Sequence, residues 1–120
     1  MIEALSSPRD GVLGFRLSGR LHDEDYQHFI PAVEAAIQKH GKVRLLAHFE
    51  DFHGWDLPAL WDDITFATRH YADVERVALV GEKTWEKWMA QVCKPFTKAE
   101  LRYFDHAELA AAWEWVAAQA

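Results

Sequence analysis

The sequence predicts a mixed α/β domain with one five-stranded sheet and four flanking helices. Three observations support this prediction: short apolar segments alternate with longer segments of helical periodicity, two strand-like segments open the chain, and no linker divides it. Strands joined by helices are parallel with right-handed crossovers, whereas the opening pair forms a hairpin. We therefore expect an antiparallel N-terminal edge strand, and we expect residues 1–120 to form a single domain.

The first half of the chain supplies the hairpin, one helix and a buried strand. Residues 2–5 and 11–19 have strand character on either side of a turn sequence. Helix one is predicted from the N-cap Asp23 to the stop at Gly41, with Pro31 expected to kink it or delay its start. Its apolar face consists of Tyr26, Phe29, Ile30, Val33, Ala36 and Ile37. A continuous apolar strand follows at 43–49.

The second half continues the alternation of helices and strands. Helix two is predicted over 57–71, with Asp56 as its cap and Pro58 in its first turn. Its inward stripe is predicted to be Leu57, Leu60, Trp61, Ile64, Ala67, Thr68 and Tyr71. Phe66 then falls on the outward face. Strands are predicted at 75–80 and 100–104, with a helix over 84–93 between them.

The last predicted helix covers residues 106–118. Asp105 and Glu108 have the spacing of a capping box at its start. Leu109, Ala112, Trp113 and Val116 form its apolar stripe, and Trp115 lies off that stripe.

Composition and charge exclude several classes of function. The net charge of −6 and the dispersed Lys and Arg residues argue against a nucleic-acid partner. No apolar run is long enough to span a membrane, and the N-terminus lacks the pattern of a signal peptide. A single cysteine, Cys93, excludes an intramolecular disulfide and suits a reducing compartment. These features predict a cytoplasmic protein.

The polar residues do not form a catalytic or metal-binding motif. His48, Glu50, Asp51, His53 and Asp56 are close in sequence, but no HExxH, CxxC pair or His-x-His spacing occurs. The chain also lacks GxSxG, GxGxxG and GxxxxGK. Asp62 and Asp63 are neighbours on a helix and diverge. We therefore expect no catalytic residue, no metal ligand and no cofactor, and we interpret the chain as non-enzymatic.

The surplus of aromatic residues is the strongest indication of a binding function. The segment FEDFHGWD, residues 49–56, follows a predicted strand at the carboxyl edge of the sheet, where open α/β sheets bind ligands. Gly54 would permit a sharp turn there. We expect Phe52, Trp55, Leu57 and Trp61 to contact a ligand. The outward aromatics Phe66 and Trp115 are expected at an interface with a second copy or another protein.

The segments KVRLLAHFEDFHGWDLPALWDDITF, VERVALVGEKTWEKW and ELRYFDHAELAAAWEWV together resemble the SpoIIAA-like family, also called STAS/SEC14-like proteins. The resemblance covers almost the whole chain and implies the mixed sheet with flanking helices. It also implies a small bacterial cytoplasmic protein of a family without established enzymatic activity. Relatives with STAS domains are protein-interaction switches, and those with SEC14-like domains carry lipids and other apolar ligands.

One departure from the family pattern bears on function. Anti-sigma-factor antagonists carry a phosphorylatable Ser in an Asp-Ser-x-Gly setting after the corresponding strand. This sequence has Asp51-Phe52-His53-Gly54-Trp55 there, with no Ser or Thr between residues 19 and 64. Two interpretations follow: a binding module for an apolar or lipid-like ligand near 49–60 and helix two, or a protein-interaction or homodimerisation module without the phosphorylation switch.

Overall fold

The computed structural model describes residues 1–5, 10–69, 72–81 and 100–118. The described strands are β1 (Ile2–Leu5), β2 (Val12–Leu21), β3 (Val43–Trp55), β4 (Val74–Gly81) and β5 (Glu100–Asp105). The described helices are α1 (Asp23–His40), α2 (Leu57–Arg69) and α3 (Leu109–Ala117), with a 3₁₀ turn at His106–Glu108 before α3. The helix predicted over 84–93, which includes Cys93, lies outside the described residues.

The five strands form one sheet in the order β1-β2-β3-β4-β5. β1 pairs antiparallel with β2, and every other neighbouring pair is parallel. This topology confirms the predicted mixed α/β fold with its antiparallel N-terminal edge strand. The carboxyl ends of the four parallel strands therefore meet at one edge of the sheet, the usual place for a binding site in such folds.

The prediction that β3 ends at residue 49 is wrong. The strand continues through the predicted turn to Trp55, and Gly19, Arg20 and Leu21 of β2 pair with Phe52, Gly54 and Trp55. The register shifts twice along this stretch, and Asp51 and Gly54 have φ values of 51° and 98°. Gly54 therefore accommodates an irregular strand instead of a turn.

α1 begins one residue earlier than predicted and is not interrupted. His22 takes the N-cap position, and Asp23 is the first helical residue. The Asp25 carboxylate accepts a hydrogen bond of 2.8 Å from the His22 backbone N–H. Pro31 lies within the continuous helix and leaves the Gln27 carbonyl without its usual donor. Both residues are exposed to solvent, so water can hydrogen-bond to that carbonyl.

The helices cover the sheet with two apolar cores. The first core lies under α1 and α2 and is rich in aromatic side chains: Phe29 makes edge contacts with Phe15 and Phe66 at centroid distances of 4.7 and 5.6 Å. The second core lies under α3 and includes Leu46, Ala78, Val80, Phe104, Ala112 and Val116. The predicted apolar faces of α1 and α3 are confirmed by these cores.

α3 is fixed closely against the sheet. The ring of Trp113 covers Gly14 of β2, where an added Cβ would overlap the indole. Arg76 Nη1 donates to the Trp115 carbonyl at 2.9 Å, and Arg44 donates to the carbonyls of Val116 and Ala118. Arg44 thus supplies donors to carbonyls at the helix end, and Arg76 adds a second donor to the Trp115 carbonyl, which also accepts from the Ala118 N–H.

The predicted orientation of α2 is wrong. Phe66, predicted to point outward, is 7% exposed and packs in the first core together with Ala59. Leu57 and Trp61, predicted to point inward, are 82% and 70% exposed. Residues 59 and 66 lie two turns apart on one side of the helix, and residues 57 and 61 lie one turn apart on the opposite side. Judged by these four described side chains, the helix is rotated by about half a turn from the predicted stripe. The other predicted stripe positions lie outside the described side chains: Leu60, Ile64, Ala67, Thr68 and Tyr71.

The rotation of α2 predicts unequal effects of two aromatic truncations. Phe66→Ala removes a buried ring and should lower the free energy of unfolding by about 3–5 kcal/mol. Trp61→Ala removes an exposed ring and should change it by less than about 0.5 kcal/mol. Urea unfolding followed by circular dichroism measures both. A cost for Trp61→Ala as large as that for Phe66→Ala would contradict this orientation.

Candidate functional site

The parallel register of β2 and β3 brings two polar residues together at the carboxyl edge of the sheet. Leu21 pairs with Trp55, and the Asp56 backbone N–H donates to the Leu21 carbonyl at 2.9 Å. The next residue on each strand is therefore adjacent: His22 Nδ1 lies 2.6 Å from Asp56 Oδ2. α1 and α2 begin at these two positions, so both helix N-termini meet at this point.

Asp56 has two functions in this arrangement. Its Oδ1 accepts a hydrogen bond of 2.9 Å from the Ala59 backbone N–H, which confirms it as the cap of α2. Its Oδ2 pairs with His22. The bond from Ala59 and then the bond from His22 lower the pKa of Asp56, because both stabilise the carboxylate.

Asp62 has the opposite electrostatic environment. A hydrogen bond between its side chain and that of Asp23, together with partial burial and the negative charges of Asp23 and Asp56, raises the pKa of Asp62 to about 6. Its Oδ2 is buried and accepts no hydrogen bond within the described structure.

We refer to His22, Asp23, Glu24, Asp25, Asp56 and Asp62 as the acidic corner. All but Asp62 line a shallow depression of about 500 Å³. The positive ends of the α1 and α2 dipoles offset part of the negative charge. Chemically, the corner can attract a cationic group. Among the described residues, no group of three or more His, Cys, Asp or Glu side chains is arranged to hold a metal ion.

The predicted ligand-binding residues are in two different environments. Phe52 is 8% exposed and packs against Phe49 at a centroid distance of 4.9 Å in the first core. Leu57 and Trp61 are exposed on the outer face of α2, directly beside the acidic corner in sequence. The side chain of Trp55 lies outside the described part of the chain. Phe52 is thus separated from the exposed pair by its burial beneath the helices.

Neither of the two predicted interface residues has a fully exposed aromatic ring. Phe66 belongs to the first core. Trp115 is half-buried against Phe104, with the guanidinium groups of Arg76 and Arg102 at 5.2 and 5.9 Å from its ring. It was expected to be free because it lies off the helical stripe, but the long Arg side chains of β4 and β5 reach it.

Sequence reasoning missed the acidic corner. His22 and Asp56 are 34 residues apart, and the strand ends were predicted too early for the two residues to be seen as neighbours. Had the strands been predicted to extend to the caps of α1 and α2, their parallel pairing would have placed His22 next to Asp56. The contact between Asp23 and Asp62 depends in turn on the rotation of α2, which the apolar pattern misassigned.

The chain belongs to the SpoIIAA-like family, whose model matches residues 12–117. Among solved structures, it is similar to an uncharacterised protein of the DUF3478 family with a SpoIIAA-like fold from Shewanella loihica PV-4. That protein is 28% identical, with a TM-score of 0.79 over 97% of this chain and 92% of the other. No curated protein matches this sequence. In the part of the chain that the structure describes, no helix is both long and apolar enough to cross a membrane.

The raised pKa of Asp62 predicts a stability that falls with rising pH. Because the pKa is near 6 in the folded chain and near 3.8 in the unfolded chain, folding favours the protonated acid. That contribution is present below about pH 4 and is lost as the pH rises through about 6. Asp62→Asn should therefore raise the melting temperature at about pH 7.5 more than at about pH 5.

The control is Asp10→Asn, at an exposed site before the opposite end of β2. It should leave the difference between the two pH values unchanged. Calorimetry at both pH values measures the effect, and an equal response of both variants would contradict the assignment to Asp62.

Proposed function

We propose that this chain is a non-catalytic interaction domain that binds another protein through the outer face of α2, formed by Leu57 and Trp61. The observation that carries the proposal is the exposure of these two large apolar side chains, 82% and 70%, one helical turn apart. Trp is among the residues that contribute most binding energy at the centres of protein interfaces, and Leu57 extends the apolar surface beside it.

The energetic gain from covering this face is substantial. Fully burying a large apolar side chain contributes about 1.5–3 kcal/mol. The two residues lie on a helix that is fixed from beneath by Phe66 and Ala59, so little order has to be gained on binding. The face is therefore pre-organised for a partner.

Charge complementarity favours a partner whose apolar surface is flanked by Lys or Arg. Asp56 and Asp62 border the outer face in sequence, and Asp23, Glu24 and Asp25 complete the acidic corner beside it. The whole chain carries a net charge of −6. An anionic membrane surface would be repelled, whereas a basic protein segment would be attracted and oriented.

Two other occupants fit less well. A small apolar ligand enclosed by Phe52 and α2 would require a cavity that joins Phe52 to Trp61, but Phe52 is packed into the first core. A second copy docked by the same face in a two-fold arrangement would bring two acidic corners near each other. Neither arrangement uses the observed combination of apolar exposure and negative charge.

A non-catalytic function agrees with the use of the polar groups. Asp56 caps α2 while it pairs with His22, and the depression beside them is lined by one histidine and carboxylates. This lining suits recognition of a cation, and it contains no Ser, Thr, Cys or Lys side chain. We therefore assign the corner to electrostatic recognition of the same protein partner.

The proposal is tested with two synthetic amphipathic peptides of equal length, one of Leu and Lys and the other of Leu and Glu. The Leu–Lys peptide should bind, and Trp61→Ala should weaken its binding by about 30-fold, the effect of losing a central interface residue. Fluorescence anisotropy of the labelled peptides measures the affinity. The matched control is Glu114→Ala, at an exposed position on α3 across the sheet, which should leave the affinity unchanged.

The outcomes separate the possible occupants. Equal binding of both peptides, or equal affinity of Trp61→Ala and the parent chain, would overturn the proposal. Non-denaturing mass spectrometry of the same samples would assign the face to a second copy if it found a dimer that Trp61→Ala dissociates. A co-purified apolar molecule released by Trp61→Ala would assign it to a small ligand.

A further inference from the structure

Two histidines from distant parts of the chain meet on the side of the sheet that carries the second core, near the carboxyl ends of β4 and β5. His48 lies on β3, and His106 is the first residue of the 3₁₀ turn that leads into α3. His48 Nε2 lies 3.2 Å from His106 Nδ1, and the rings meet edge to face with centroids 5.3 Å apart. The two residues are 58 positions apart in sequence, and β4 lies between β3, which carries His48, and β5, which His106 follows.

The chemistry of this contact limits the number of protons it accepts. A hydrogen bond between two imidazole nitrogens needs one N–H and one free lone pair. When both rings are neutral, or when only one is protonated, one ring can donate to the other. When both are protonated, two N–H groups and two positive charges face each other, and the bond is lost.

We propose that His48 and His106 form an acid-released clasp, which fixes the start of α3 to the sheet while at least one ring is neutral and frees it when both are protonated. The clasp is independent of the outer face of α2, because α3 covers the opposite side of the sheet.

The surroundings of the pair support this assignment. Partial burial, the nearby His106 ring and Arg16 lower the pKa of His48, and Glu50 opposes them.

From β4, the residues at this level are Val80 and Gly81, which do not titrate. On β5, Arg102 lies over Phe104. In the turn, Asp105 and Glu108 are engaged in the capping box.

The same surroundings argue against a metal ion between the two rings. Arg16 places a positive charge near His48, and this charge would repel a second cation. The same charge also disfavours protonation of His48, so that release of the clasp requires a lower pH than it would without Arg16.

What the clasp controls is the beginning of α3. The His106–Glu108 turn contacts both β4 and β5, and α3 follows it immediately. The other end of α3 is fixed separately by Arg44 and Arg76. Release should therefore loosen the first turn of α3 without detaching its last turn.

The experiment combines nuclear magnetic resonance titration with hydrogen exchange on the full chain. Partial burial and the charge that the His106 ring can carry lower the pKa of His48, so this pKa should rise when His106→Gln removes that charge. Amide protection in residues 106–112, corrected for intrinsic exchange, should fall at least about ten-fold between about pH 7.5 and pH 5, relative to β3.

Two variants and a control make the result specific. In His48→Gln, the amide side chain offers both a donor and an acceptor and carries no charge. The fall in amide protection between the two pH values should therefore disappear, and His106→Gln should give the same result. His53→Gln, on the same strand but exposed and paired with Asp51, should behave as the parent chain. An unchanged pKa of His48 in His106→Gln, or an undiminished fall in protection in His48→Gln, would overturn the proposal.

Discussion

The parallel pairing of β2 with β3 is the constraint on which the rest of the structure depends. Because the pairing continues through an irregular stretch to Leu21 and Trp55, both strands end at the same level. The caps of α1 and α2, His22 and Asp56, are then within hydrogen-bond distance. The helices start side by side, enclose the aromatic first core beneath them, and concentrate carboxylates at their N-termini, where the helix dipoles favour negative charge.

α2 has two distinct apolar sides. Ala59 and Phe66 anchor the helix to the first core, and Phe66 meets Phe29 of α1. Leu57 and Trp61 are left on the opposite side, beside the acidic corner. A domain without binding function would gain solubility from polar residues at these two positions. Their presence next to negative charge is the basis for proposing a basic, apolar protein partner.

The sequence was sufficient for the fold and insufficient for the site. Alternation of strands and helices predicts the sheet, and the apolar faces of α1 and α3 are regular enough to be assigned. α2 is apolar on more than one side, so its periodicity alone could not distinguish Phe66 as core from Trp61 as surface. The contacts of His22 with Asp56 and of His48 with His106 depend on strand register and on where β3 ends, which local patterns do not specify.

The central claim is that Trp61 contacts a protein partner, and site-specific photo-cross-linking tests it most directly. A benzophenone amino acid placed at position 61 in producing cells should cross-link to a protein segment that combines apolar residues with Lys or Arg, identified by peptide mass spectrometry. The same group at position 114, exposed on the other side of the sheet, should not. Equal cross-linking at the two positions, or a cross-linked segment that is acidic, would contradict the account.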